Sequence, residues 1–173
     1  CTLIMSTPPS WVMAIFFWLH MLATVTWIGS LAAINLLVLP ASTRTLKLAD
    51  QLSFIAALQK RLEPLAWFSM GLLVVTGLFQ MSANPHYDGF LSTSTQWSLA
   101  ILVKHGLAAV MAVVSAIQTW EVIPAIRRGI LMSKKINNAE ELDSLRRREI
   151  TLLRINFGLS VLILAATAFA RAS

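Results

Sequence analysis

Two histidines stand inside long apolar runs of this sequence, His20 in WVMAIFFWLHMLATVTWIGS and His105 in LAILVKHGLAAVM. Counted from Trp11 and Gln96, where those runs begin, each lies nine residues deep. On helices rising 1.5 Å per residue, both imidazoles sit roughly 13 Å below the same membrane face. An ionisable group at such depth is costly and is a functional candidate by default. Two level imidazoles on diagonal helices can fill the two axial positions of a haem iron, each about 2 Å from the metal. The neighbours suit that use. Phe16, Phe17 and Trp27 form an aromatic wall on the face of His20, and Thr24 offers a hydroxyl to the imidazole's second nitrogen. Ala108, Ala109 and Ala112, with Gly106, leave room for a flat macrocycle beside His105. Lys104 is turned about 100° from His105, placed to snorkel or to meet a haem propionate or quinone oxygen. A second bis-histidine haem would need two more intramembrane histidines, and only His86, in a loop, remains. One haem b is therefore expected, with His20 and His105 on the iron and Lys104, Trp27, Phe17 and Thr24 lining the cofactor. No catalytic residue is assigned.

Methionines supply a second chemistry, because thioethers and imidazoles suit Cu(I). Met13 and Met21 flank His20, Met70 and Met81 lie in the second apolar run, and Met111 follows His105. Methionine is also ordinary core filling.

Positioning these groups is the task of four helices. Of the 173 residues 57% are hydrophobic and 13% charged, against about 25% charged in an average soluble domain. That composition excludes a disordered or collagen-like chain. It fits one transmembrane domain over residues 1–173, with spans at about 11–40, 64–83, 96–123 and 150–170. The first run is too long for a cleaved leader, and Pro40 marks its expected end. The single cysteine, Cys1, excludes an internal disulfide. Cys1 in place of methionine fits a truncated start, with Met5 as first residue, or a processed lipoprotein-like terminus. The net charge of +6 does not signal nucleic acid, because the cations cluster at the ends of apolar runs. Eleven of the fourteen Lys and Arg fall in the loops 41–63 and 124–149, and none falls in NPHYDGFLSTSTQ. The positive-inside rule then puts those two loops in the cytoplasm and both termini outside. The fold class expected is an all-α, up-down bundle of four transmembrane helices in the inner (plasma) membrane.

Trp11, Trp67, Trp97 and Trp120 fall near span ends, as an aromatic belt requires. Leu48, Leu52, Ile55, Leu58 and Leu62 make the first basic loop an amphipathic helix, a connector or a segment lying on the membrane surface. AEELDSLRRRE mixes charge signs at helical spacing, as a solvated helix face does. Arg154 and Glu121 complete the ionisable residues of the spans, and Thr76-Gly77, Asn156, Gly158 and Ser160 suit close packing and interhelical hydrogen bonds.

The chain resembles the copper resistance protein D (CopD-like) family of small four-helix membrane proteins. The resemblance rests on LHMLATVTWIGS, RLEPLAWFSMGLLVVTGL, LVKHGLAAVM and RINFGLSVLILAATA. It implies a four-helix fold and either copper movement or haem binding. The related HemJ-like protoporphyrinogen oxidases have a first-helix histidine and a third-helix lysine, which would map onto His20 and Lys104. Their fourth helix carries an Asn-Glu pair followed by proline, and here Asn156 has neither partner.

The leading expectation is a b-type haem protein in electron transfer. It would work beside membrane lipids, a redox partner protein or quinone, and other membrane subunits. Copper transport through His20, Met21 and neighbouring methionines is the alternative, and protoporphyrinogen oxidation a third.

Overall fold

Each of the four helical rods overruns the apolar stretch that specifies it. The computed structural model describes residues 8–83, 89, 95–133 and 139–172. Within them the elements are α1 (Ser10–Ala33), α2 (Leu39–Thr45), α3 (Leu48–Ser82), α4 (Gln96–Ile117), α5 (Ile123–Ser133) and α6 (Ala139–Ala172). A π-helical turn, Ile34–Val38, joins α1 to α2, and another, Gln118–Val122, joins α4 to α5. The result is four rods long and apolar enough to cross a membrane, with no strand among the described residues. Cys1, Met5, His86, Lys134 and Lys135 lie outside the described residues, as does the side chain of Trp97.

Proline explains where the expected boundaries fail. Pro40 does not end the first span, because the helix continues to Thr45. A proline ring collides with the carbonyl four residues earlier, and the wider π turn just before Pro40 moves that carbonyl aside. The turn Gln118–Val122 stands in the same relation to Pro124. Pro64 lies inside α3 without a break. The amphipathic segment 48–62 is consequently the first four turns of α3. It is folded against the bundle, with Leu52 0% and Ile55 2% exposed, and does not lie on a membrane surface. α4 starts at Gln96 as expected, with the Thr95 side chain accepting from the Ser98 amide at 3.1 Å.

The bundle is apolar outside and partly polar within. Trp11, Trp18, Leu37, Phe68, Trp120 and Phe169 are all more than half exposed, whereas Gln51, Gln59, Thr76, Gln118, Glu149 and Asn156 are buried. A protein in water would not leave such a belt uncovered, and lipid covers it here. The chain is a multi-pass, all-helical membrane protein in contact with lipid. Trp67 and Trp120 stack with centroids 5.3 Å apart, which ties α3 to the second π turn at the expected aromatic level.

α1 packs chiefly on α3 and α4 chiefly on α6. Trp27, Leu31, Ile34, Met111 and Leu153 form the central core. A separate cluster of Leu52, Val122, Ile126 and Leu142 closes the basic end. There Asp143 pairs with Arg146 and Arg147, and Glu121 with Arg148, at the solvated surface.

Candidate functional site

His20 is half-buried on α1 and faces α3. Its Nδ1 lies 2.8 Å from Thr76 Oγ1, and Thr76 is 1% exposed. A threonine hydroxyl has one proton, and that of Thr76 goes to the Leu72 carbonyl at 2.6 Å. Oγ1 is therefore an acceptor towards the ring, Nδ1 carries the hydrogen, and Nε2 keeps the lone pair that a metal uses. The next residue, Gly77, makes room. A Cβ there would stand 3.4 Å from His20 Cε1. Thr76-Gly77 does serve close packing and an interhelical hydrogen bond, and both act on this histidine.

His105 and Lys104 are half-buried on α4. The Nδ1 of His105 donates to the Ile101 carbonyl at 2.7 Å, because a carbonyl can only accept. Its tautomer matches that of His20. Lys104 and His105 both act electrostatically on His20, so all three gather in one region. The shared depth counted along the helices accounts for this, with α1 and α4 each packed mainly on a different partner.

Other candidates lie elsewhere than expected. The Thr24 hydroxyl donates to the His20 backbone carbonyl at 2.7 Å, the usual bond of a threonine to its own helix, so the hydroxyl that reaches the imidazole is Thr76. Phe17 is 41% exposed and turns away, while Phe16 stacks on Phe79 at 3.9 Å. Trp27 is buried in the central core, two turns deeper than His20. Gly106 and Ala109 are exposed, so part of the small-residue face of α4 opens outward. Met21 is 60% exposed, whereas Met81 and Met111 are buried. Arg154 is exposed near the start of its span.

Among the described residues no three His, Cys, Asp or Glu side chains gather around one point. A metal held here would draw on imidazole nitrogen and thioether sulfur. The described cavity, about 80 Å³, surrounds Trp27 and is lined by neither histidine. It is far smaller than the 300 Å³ or more of a typical cofactor site.

A second polar level has no counterpart among the residues expected from the sequence. Glu149, Gln59, Gln118 and Asn156 are buried together towards the basic end. Glu149 stands in the run RRRE, which looks solvated. The available signal was the spacing of Glu149 from Leu142, Leu153 and Asn156, at seven, four and seven residues, which puts them on one helix face.

Comparison with known protein families matches residues 56–170 to copper resistance protein D. No curated protein and no solved structure matches the chain.

Proposed function

The chain belongs to the copper resistance protein D family, and from that membership we propose that it is a copper resistance membrane protein whose cargo, Cu(I), is taken up at His20. The observation that carries this is the fixed tautomer of His20, held by Thr76 so that Nε2 presents its lone pair. Ligating histidines characteristically donate their other N–H to an oxygen, which orients the ring and raises its basicity. Buried thioethers flank this level. Met81 follows Thr76 by about 7 Å along α3, and Met111 follows His105 by about 9 Å along α4. These soft donors suit Cu(I) and disfavour hard ions. Exposed Met21 is a poor ligand beside them.

The charge asymmetry of the loops supports an orientation with both termini outside, in the inner membrane. His20 and His105 then lie in the outer half, where external copper arrives first.

A haem held between His20 and His105 is the second reading, favoured by the identical Nδ1–H orientation of the two rings. One experiment separates the two. Detergent-purified protein is titrated with Cu(I) against a chromogenic chelator, and its reduced-minus-oxidised visible spectrum is recorded. Stoichiometric Cu(I) binding that His20→Ala abolishes supports copper. Haem bands that His20→Ala and His105→Ala each convert or remove would transfer the site to haem.

A further inference from the structure

The arginines of α6 stand in two environments. Arg146, Arg147 and Arg148 precede the apolar run, and each has a carboxylate partner, Asp143 at 3.0 and 2.7 Å for the first two and Glu121 at 2.7 Å for the third. Arg154 lies four residues inside that run and is exposed. Among the described residues it has no hydrogen bond and no ion pair. Asn35, in the first π turn, fixes its depth. The Asn35 amide donates to the Leu153 carbonyl at 3.2 Å, so Arg154 is level with a stretch of the first rod that carries no charge. The next cation there, Arg44, comes nine residues later, roughly 13 Å nearer the basic end.

The helix also fixes its direction. Arg147, Thr151, Arg154 and Gly158 follow one another at spacings of four, three and four, and all are exposed. They form a stripe opposite the buried Leu142, Glu149, Leu153 and Asn156. Ile155, Val161 and Leu162 beside the stripe are exposed and apolar, so it faces lipid. Cα–Cβ bonds tilt towards the N-terminus of a helix, and α6 begins at the basic end. The Arg154 stem therefore leans towards the headgroups of that leaflet. Gly158, one turn deeper, would set a Cβ within 4 Å of nothing, and its missing side chain leaves a notch where an acyl chain can lie.

An unpaired charge inside a span is costly, and the acids near it on α6 do not relieve it. Glu149 is buried on the opposite face and accepts from Gln59 and Gln118, and Asp143 holds Arg146 and Arg147. We infer that Arg154 anchors an anionic phospholipid, with its guanidinium on the lipid phosphate. The planar fork matches phosphate geometry. A zwitterionic lipid brings its own ammonium beside the phosphate, so a lipid of net negative charge is preferred. Nothing in this assignment depends on a metal at His20.

The test titrates the delipidated full chain in detergent with phosphatidylglycerol or phosphatidylcholine and counts bound lipid by native mass spectrometry. Phosphatidylglycerol should fill its first site about 5–10-fold more tightly. Arg154→Gln removes that preference, while Arg44→Gln, which takes the same charge from the same end, retains it. In the unaltered protein, phosphatidylglycerol with a photoactivatable acyl chain should cross-link to α6 beside Gly158, a readout that needs no variant. The proposal is overturned by equal binding of the two lipids, by a preference that survives in Arg154→Gln, or by equal loss in Arg44→Gln. It is overturned equally by cross-links that fall only outside α6, and by displacement with millimolar inorganic phosphate, which would make the site one for a free anion.

Discussion

The imidazole of His20 donates from Nδ1 to the hydroxyl of Thr76 at 2.8 Å across the seam between α1 and α3. Replacing that acceptor in Thr76→Val leaves a ring N–H unpaired, at a cost of about 1 kcal/mol, and releases the ring orientation. Cu(I) affinity should fall about 10–100-fold, with Thr76→Ser recovering most of it. Competition titration measures this, and an unchanged affinity in Thr76→Val would detach Thr76 from the site.

Gly77 sets the packing of the same ring. A Cβ at 3.4 Å from Cε1 asks for a shift of only tenths of an ångström, so Gly77→Ala should bind Cu(I) within a few-fold of normal. Gly77→Leu must displace the imidazole and should lose binding by at least tenfold while circular dichroism shows helix content unchanged. Equal binding in both variants would show that the ring does not carry the metal.

Lys104 acts on His20 through its charge. A cation beside a cationic cargo is repulsive, so Lys104→Met should tighten Cu(I) severalfold. If a haem occupies the site, the same substitution should lower its midpoint potential while the haem stays bound. Loss of haem in Lys104→Met with retention in His105→Ala would identify Lys104 as the third-span ligand and turn attention to protoporphyrinogen chemistry.

Orientation is testable from the basic loops. In a Cys1→Ser background, Asp88→Cys should react with an impermeant thiol reagent added to intact cells. Labelling only after lysis would place the termini inside and the histidine pair in the inner half.

Much of this was legible from hydropathy and depth. Apolar runs with few charges mark four spans because lipid tolerates few ions, and the nine-residue depth of His20 and His105 brings them to one region because helical rise is constant. The ends were not legible. Pro40 and Pro124 look like stops, yet a π turn before each absorbs the clash. Phe17 and Met21 read as neighbours of His20, but at about 100° per residue Met21 is turned about 100° from it and Phe17, three residues back, about 60°, and both side chains are exposed. Thr76 reaches His20 from 56 residues away, a partnership that only the packing of α1 on α3 reveals. Glu149 was hidden by the three arginines before it.

The length of α3 sets two parts of this protein in different solvents. Its 35 residues extend about 52 Å, against a hydrocarbon thickness of about 30 Å, and a tilt of 40° does not absorb the excess. The cluster of Leu52, Val122, Ile126 and Leu142 at the basic end therefore projects towards water. Its apolar contacts are driven by water exclusion, whereas lipid is as apolar as leucine and gives the middle of the bundle no such drive. Urea should loosen this aqueous cap at concentrations that leave the spans intact. Hydrogen exchange would show amides near Leu52 and Leu142 exchanging while those near Trp27 and Met111 stay protected, so that one chain displays two melting regimes.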